Sequence, residues 1–439
     1  MSAEDPRELS RRFIALAWPN VAASLLVPVL GLVDTAMLGH LPEIRHLAGV
    51  GLASVLFDYV YWTFGFLRMS TTGLTAQAMG RGSGLDVRLV GARGMGVALV
   101  TGVILVLLHR PLADLCFGLL EGTQPLKASG RAYFDARIFG APAALANFVL
   151  VGWLLGIQSS RRVLLMSLVG NGANIVLDYV FIYRLGWASA GAGYATMVSQ
   201  YLMLAAGLAL AWPRWRGQAR LRWRDVVAAV PLREFTRLSG DITVRTLALI
   251  SAFAIFTNFS AALSVMTLAT NVILLKILSL ASYFIDGFAF ATESLAGLWF
   301  GSNQRTRLRP LLVLALRFGV VTALLFAGAF AAFPGPLFGA LTNHPEVGLS
   351  LAAQRWWLLP LLGVGSVAYV LDGYFLGLAA GRIMSRSMLV SFGFGFLPLA
   401  LWGRYVVEDA RLLWVALCMF MVVRVVTLAV RVPATLRDE

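Results

Sequence analysis

Twelve runs of some 20 or more apolar residues occupy most of this 439-residue chain. A helix needs about 20 residues to cross roughly 30 Å of hydrocarbon, where only helices and closed barrels satisfy their own backbone. The runs lie near 13–38, 47–79, 89–108, 132–157, 163–183, 189–212, 237–259, 264–300, 310–333, 350–378, 387–403 and 411–430. This predicts an all-α polytopic membrane protein with twelve transmembrane helices. A chain that is 59% hydrophobic and only 13% charged carries more apolar surface than a soluble core can hide. The formal charge of +14 does not point to nucleic acid, because no folded polar domain is present to gather the basic residues. Cys116 and Cys418 lie in a loop and deep in an apolar run, which reads as two free thiols. The polar start and the absence of a cleavage pattern lead us to read Met1 as the mature start.

Arginine and lysine set the orientation, since cytoplasmic loops carry an excess of them. Both tails and the loops leading from even to odd spans hold 22 such residues, and the opposite loops hold 7. Both termini are therefore expected in the cytoplasm, with the chain in the cell membrane. The basic stretch from Pro213, with Trp215 and Trp223 among its arginines, divides six spans from six. It reads either as an amphipathic piece on an anionic leaflet or as a solvated linker that fixes topology. The expected organisation is an N-terminal six-helix lobe over 1–212, a basic cytoplasmic linker over 213–236 and a C-terminal six-helix lobe over 237–439.

An internal repeat relates the halves. A shift of 221 places Gly152 and Gly156 on Gly373 and Gly377, and Arg161 on Arg382; a shift of 222 places Tyr61, Gly65 and Phe66 on Tyr283, Gly287 and Phe288. Six spans per half give both halves the same orientation, so the lobes should be related by a pseudo-two-fold axis along the membrane normal.

A carboxylate inside an apolar span is costly enough to imply a function. Asp34 lies about 4 residues from the outer end of the first span, roughly 6 Å at 1.5 Å per residue. Asp178 lies at a similar depth in the fifth span, with Asn174 and Asn171 on the same helical face. Thr196, in the sixth span, completes the layer. Hard oxygen ligands of this kind can coordinate a small cation. Alternatively, two carboxylates in a low-dielectric site share one proton. A third reading is that they only bond neighbouring helices. Pro19 and Pro28 interrupt the first span and are candidate hinges, since a proline removes a ladder hydrogen bond; a static kink is the other reading.

Five stretches carry a resemblance: P-N-V from Pro19, L-V-D-T-A-M-L-G-H from Leu32, Y-W-T-F-G-F-L-R-M-S-T-T-G-L-T-A-Q from Tyr61, N-I-V-L-D from Asn174 and Y-F-I-D-G-F-A-F from Tyr283. Through them the chain resembles the multidrug and toxic compound extrusion (MATE) transporters, and most closely their DNA-damage-inducible (DinF) branch. The resemblance implies two six-helix lobes around a central V-shaped cavity and export of drugs or cations as protons or sodium ions enter. It implies that Asp34, Asn174, Asp178 and Thr196 form the ion or proton site, holding Na+ if that is the coupling ion, and that the first helix bends at Pro19.

The C-terminal half departs from relatives with acidic residues in the seventh and tenth spans. Asp241 and Arg245, at i and i+4, read as an ion pair. Lys276, Asp286, Glu293, Arg317, Arg355 and Asp372 read as a charge network of structural or gating character, with a second ion site as the alternative. Asp58, Arg68, Asp135 and Arg137 are candidates for similar pairing in the first half. Met37, Phe64, Met197, Met266, Tyr283 and Tyr369 are candidates for an apolar, aromatic substrate cavity.

The expected function is secondary active antiport: export of amphipathic, cationic organic compounds against protons or sodium ions by alternating access. A lipid or glycolipid flippase is the main rival, and a basic cavity would be its signature. A channel fits duplicated lobes less well. An enzyme is not expected, because the four histidines fall in outer loops without metal-ligand spacing. No cofactor beyond the coupling ion H+ or Na+ is expected. The partners are a small organic substrate and membrane lipid, without nucleic acid, and the chain is expected to be a monomer.

Overall fold

The computed structural model describes residues 6–119, 123–216, 221–342 and 344–437. Met1, and residues 217–220 of the expected linker, lie outside them. Among the described residues there are twelve helices long and apolar enough to cross a membrane, and no strand. They are α1 (Pro6–Gly39), α2 (Ile44–Gly80), α3 (Gly84–Leu107), α4 (Gln124–Gly156), α5 (Ser160–Arg184), α6 (Ala188–Trp215), α7 (Trp223–Leu263), α8 (Val265–Gly301), α9 (Arg305–Ala332), α10 (Pro345–Gly377), α11 (Gly381–Tyr405) and α12 (Ala410–Leu436). Each of the twelve predicted spans falls on one of these helices, which run further at most ends than the apolar runs do. Short helices at His109–Leu119 and Pro334–Gly339 follow α3 and α9. The expected linker is partly helical, with Trp223–Val226 one turn and the main run of α7 starting at Ala229.

The chain packs as two compact units, one of residues 22–237 and the other of residues 1–21 with 238–439. The division falls inside α1, whose first part was expected with the N-terminal lobe. The reason lies in its side chains. Phe13 is fully buried between Phe288 and Phe318, with ring centroids 6.2 and 5.8 Å away. A Cβ on Gly287 would strike the backbone and side chain of Val21, so that glycine admits α1 against α8. The repeat has a counterpart at α7: Phe235, 222 residues after Phe13, is buried with Leu67, Leu145 and Val149 in the unit of residues 22–237.

The repeat is visible in atomic detail. In the first unit α4 crosses α2 so closely that a Cβ on Gly152 would collide with the carbonyl of Arg68, and one on Gly156 would meet Thr75 and the carbonyl of Thr72. In the second, α10 crosses α8 the same way: Gly373 lies on the carbonyl of Ala289 and Gly377 on that of Glu293. Every one of these positions is related to its counterpart by 221. Small residues let helix backbones approach, which is the main source of packing attraction where lipid is as apolar as the side chains. The turns repeat as well. Positive φ occurs at Gly82 (71°) and Asn303 (57°), at Gln158 (59°) and Ala379 (52°), and at Gly186 (69°) and Glu408 (53°). Left-handed backbone disfavours residues with a Cβ, so its recurrence at Gln158 and Ala379 shows that the α4–α5 and α10–α11 turns keep one geometry despite unsuitable residues.

Buried polar side chains outside the candidate site are satisfied where they brace helices. In the second unit Trp414 donates its indole N–H to Asn271 Oδ1 (3.0 Å), and Asn271 donates to Ser260 Oγ (2.8 Å), a chain that ties α12, α8 and α7.

The crossings yield a prediction. Gly152→Leu or Gly373→Leu should destabilise by about 1–3 kcal/mol, the cost of overpacking a tight contact. Gly96→Leu, where a Cβ meets nothing within 4 Å, should be nearly neutral. Thermal unfolding in detergent checks the difference.

Candidate functional site

The described part of α1 is helical without interruption from Pro6 to Gly39, so neither Pro19 nor Pro28 breaks it. That continuity carries Asp34 to the outer end of α1, in the unit of residues 22–237. In the same unit α5 carries Asn174 and Asp178 one turn apart, and each is 1% exposed. The carboxyls of Asp34 and Asp178 lie within hydrogen-bond reach of each other. No protein donor reaches Asp34 Oδ1 or either oxygen of Asp178, and both amide atoms of Asn174 also lack partners. Four of the five oxygen and nitrogen atoms on Asn174, Asp178 and the Asp34 Oδ1 position are therefore acceptors or a carbonyl, a set suited to a proton or a small cation. Thr196 is half-buried and donates to the carbonyl of Ala192 (3.0 Å), which leaves its oxygen free only to accept.

Two features near the pair go beyond the sequence reading, which had named Arg137 only as a candidate for ion pairing. Directly after Asp178, α5 widens into a π-helical segment, Tyr179–Arg184, a distortion common at functional sites. From it the Tyr183 hydroxyl donates to the carbonyl of Met37 on α1 at 2.5 Å, one turn beyond Asp34. The second is Arg137 on α4. Its guanidinium lies over Phe57 (4.4 Å), with Tyr133 and Tyr61 at 5.5 and 5.7 Å, and it donates to the Tyr133 hydroxyl at 2.7 Å. It is close enough to act electrostatically on Asp34. An intramembrane arginine beside three aromatic residues was the available signal.

In the second unit Asp372 on α10 accepts from two arginines, Arg245 on α7 and Arg424 on α12, through the same oxygen, Oδ2. All three are buried. This corrects the expected Asp241–Arg245 pair: the tenth span offers Arg245 a carboxylate across the helix interface, whereas Asp241 sits a turn nearer the helix start against Gly381. Arg424 was not anticipated, although an arginine inside M-V-V-R-V-V marks itself. Of the other expected network members, Glu293 is fully buried and Asp286 lies near Tyr369, whereas Lys276 and Arg317 are exposed. Arg355 bonds the carbonyl of Ala352 and lies 4.7 Å from the Trp356 ring centre. In the first unit Arg131 pairs with Asp114 at 2.6 Å and approaches Asp135 at 3.8 Å.

The expected cavity residues scatter. Met37 packs with the Phe57 cluster, Phe64 with the cluster around Leu67, and Met197 against Gly140. Met266 is exposed, Tyr283 is half-buried, and Tyr369 lies under Arg424 at 5.7 Å. A groove of about 560 Å³ lined by Phe181, Trp187, Ala190, Tyr194 and Val198 contains no carboxylate. Its exposed tryptophan and tyrosine suit the aromatic belt of a membrane interface.

The MatE family model matches the chain twice, at residues 19–180 and 242–402, and so covers both halves of the repeat. The chain belongs to the MATE family. It is a multi-pass membrane transporter, not an enzyme. The DNA damage-inducible protein F of Escherichia coli (strain K12) is 33% identical over 423 residues, 94% of this chain and 90% of that protein. A probable multidrug resistance protein NorM from a Synechococcus species is 28% identical over 83% of this chain and 79% of its own. The outward-facing structure of a multidrug resistance MATE family transporter superposes with a TM-score of 0.88 over 100% of both chains at 20% identity, a likeness of fold. The double match shows the same family pattern in both halves of this MATE chain.

Tyr183→Phe should remove the side-chain hydrogen bond that links the π segment to α1, at about 1 kcal/mol. Amide exchange over residues 34–40 should accelerate severalfold while α2 and α4 are unchanged; hydrogen exchange with mass analysis checks this.

Proposed function

We propose that this MATE transporter is a secondary active antiporter that exports amphipathic organic compounds, cationic ones among them, in exchange for protons or sodium ions. Asp34 and Asp178 are its coupling site, with Asn174 and Thr196 supporting them. One observation carries this reading: the half-buried Asp34 carboxyl and the buried Asp178 carboxyl act on each other, and no protein donor reaches Asp34 Oδ1 or either oxygen of Asp178. Such a pair is tolerated in a low-dielectric interior only when a proton or a cation lies between the carboxyls. The proton is the preferred ion, because two neighbouring carboxyls in a low-dielectric site readily share one proton. Sodium remains the second reading.

In the proposed cycle, uptake of the ion by Asp34 and Asp178 removes their mutual repulsion and lets α1 draw against α5. Pro19 and Pro28, where α1 lacks ladder hydrogen bonds, are where the helix bends. Ion and substrate are coupled because each favours a different conformation of the same unit. The termini lie in the cytoplasm of the cell membrane, as the arginine bias of the loops supports. The transporter works as a monomer, and lipid is its surrounding solvent.

The test is efflux of a fluorescent cationic dye from proteoliposomes under an imposed proton or sodium gradient. Asp34→Asn and Asp178→Asn should each lower ion-driven efflux at least tenfold. Wild-type rates from either variant would remove the coupling assignment, and drive by sodium alone would remove the proton. Accumulation of dye against its own gradient separates a pump from a channel, and failure to move dye with movement of a labelled lipid would favour the flippase.

A further inference from the structure

The C-terminal unit carries a buried site of the opposite sign. Asp372 Oδ2 is shared by Arg245 and Arg424, so two guanidinium cations meet one carboxylate. Arginine keeps its proton in any protein interior, so the cluster holds a net charge of one positive unit. Arg245 and Arg424 both act electrostatically on Asp372, and Asp372, Arg245 and the Tyr369 phenol act on Arg424. Asp286 acts on Tyr369 beside them. A buried cluster with more cations than anions is costly to hold.

The hydrogen-bond inventory agrees with the charge. A guanidinium has five N–H donors in a rigid fork. The Nε–H groups of Arg245 and Arg424 are buried and have no acceptor. Arg424, 1% exposed, otherwise directs Nη1 only at the sulfur of Met421, at 4.0 Å, a weak acceptor. Two forks with spare donors around one carboxylate oxygen match the bidentate recognition of a second oxyanion. Tyr369 lies 5.7 Å from the Arg424 guanidinium and is half-buried, whereas Arg424 is 1% and Arg245 7% exposed, so the Arg245 and Tyr369 side is the less enclosed one. The tyrosine ring offers an apolar face beside the charge.

We infer that Arg245 and Arg424 form a subsite for the anionic group, carboxylate, sulfonate or phosphate, of an amphipathic ligand, with Asp372 holding the two guanidiniums apart and in register. The ligand class of this transporter then extends to anionic amphiphiles. The inference builds on the reading of the chain as an exporter of amphiphiles, but its test needs no gradient and no transport.

Full-length protein in phosphatidylcholine nanodiscs is titrated calorimetrically with 2-naphthalenesulfonate and with a naphthyl trimethylammonium of the same shape. The sulfonate should bind with one-to-one stoichiometry. Arg245→Met, which leaves a neutral Asp372–Arg424 pair, should weaken the sulfonate at least tenfold and leave the trimethylammonium unchanged. Asp372→Asn should hold or strengthen sulfonate binding, since it raises the local charge. A network of purely structural role would respond to both substitutions alike, so equal losses from Arg245→Met and Asp372→Asn, or no change from Arg245→Met, would overturn the inference. If Arg245→Met fails to fold, Arg245→Lys decides in its place: it keeps the charge but loses the fork, and should retain part of the sulfonate affinity, whereas unchanged affinity would overturn the role of the fork. Discs containing phosphatidylglycerol separate the sources of the anion. Competition with sulfonate assigns the subsite to a lipid headgroup, and undiminished binding assigns it to a soluble amphiphile. Absence of sulfonate binding in discs free of phosphatidylglycerol would overturn the inference.

Discussion

The cost of an ionised group among apolar helices governs both units of this protein. A chain that is 59% hydrophobic has no reason of stability to carry charge in its spans. Where it does so, the surroundings reveal the use. In the unit of residues 22–237 the cost appears as two carboxyls without donors. In the other unit it appears as two guanidiniums that share one carboxylate oxygen. One site holds more acidic than basic groups and the other more basic than acidic, although the backbone around them comes from one duplicated design.

The duplication explains why such divergence is possible. What the two copies preserve is backbone contact: glycines of α4 on carbonyls of α2, and glycines of α10 on carbonyls of α8, at one constant spacing. These crossings tolerate no side chain, so they fix the helix frame regardless of what the remaining faces carry. The turns preserve the same left-handed residues even where glutamine or alanine must adopt them. With the frame held by small residues and turns, the polar positions are free to differ. The π segment after Asp178 has no counterpart at the matching place in the second copy, whose own π segment, Ser391–Phe396, lies earlier in α11.

Much of this was legible from the chain. Apolar runs of spanning length gave the twelve helices, because hydrocarbon thickness sets a length that periodicity cannot blur. The repeated glycines were readable because a backbone contact demands one residue type. Asp34 and Asp178 were readable because helical rise places groups at equal depth without knowledge of rotation. Rotation is where reading stopped. Depth alone could not show that Arg245 turns toward Asp372 and away from Asp241, or that Arg137 turns into the ring of Phe57. Local i, i+4 spacing is worth only a few tenths of a kcal/mol on a helix surface, whereas a partner on a neighbouring buried helix is screened far less. Nor could residue order show that α1 divides between the units at Val21. That depends on Phe13 finding Phe288 and Phe318, both more than 270 positions away in the chain.

The two prolines of α1 gain their meaning from this division. Pro19 is buried and lies two residues before the point where α1 passes from one compact unit to the other, beside Asn20, whose side chain is buried without a partner. A proline there leaves a carbonyl of the preceding turn without its usual N–H. Asn20 adds a donor and an acceptor that nothing else uses. The helix is continuous through this point, yet its ladder lacks a donor there. Helices bend where their ladder is already incomplete. A change at Asp34, four turns further along, therefore meets a helix with an incomplete ladder at the limit of the unit that holds the carboxylate.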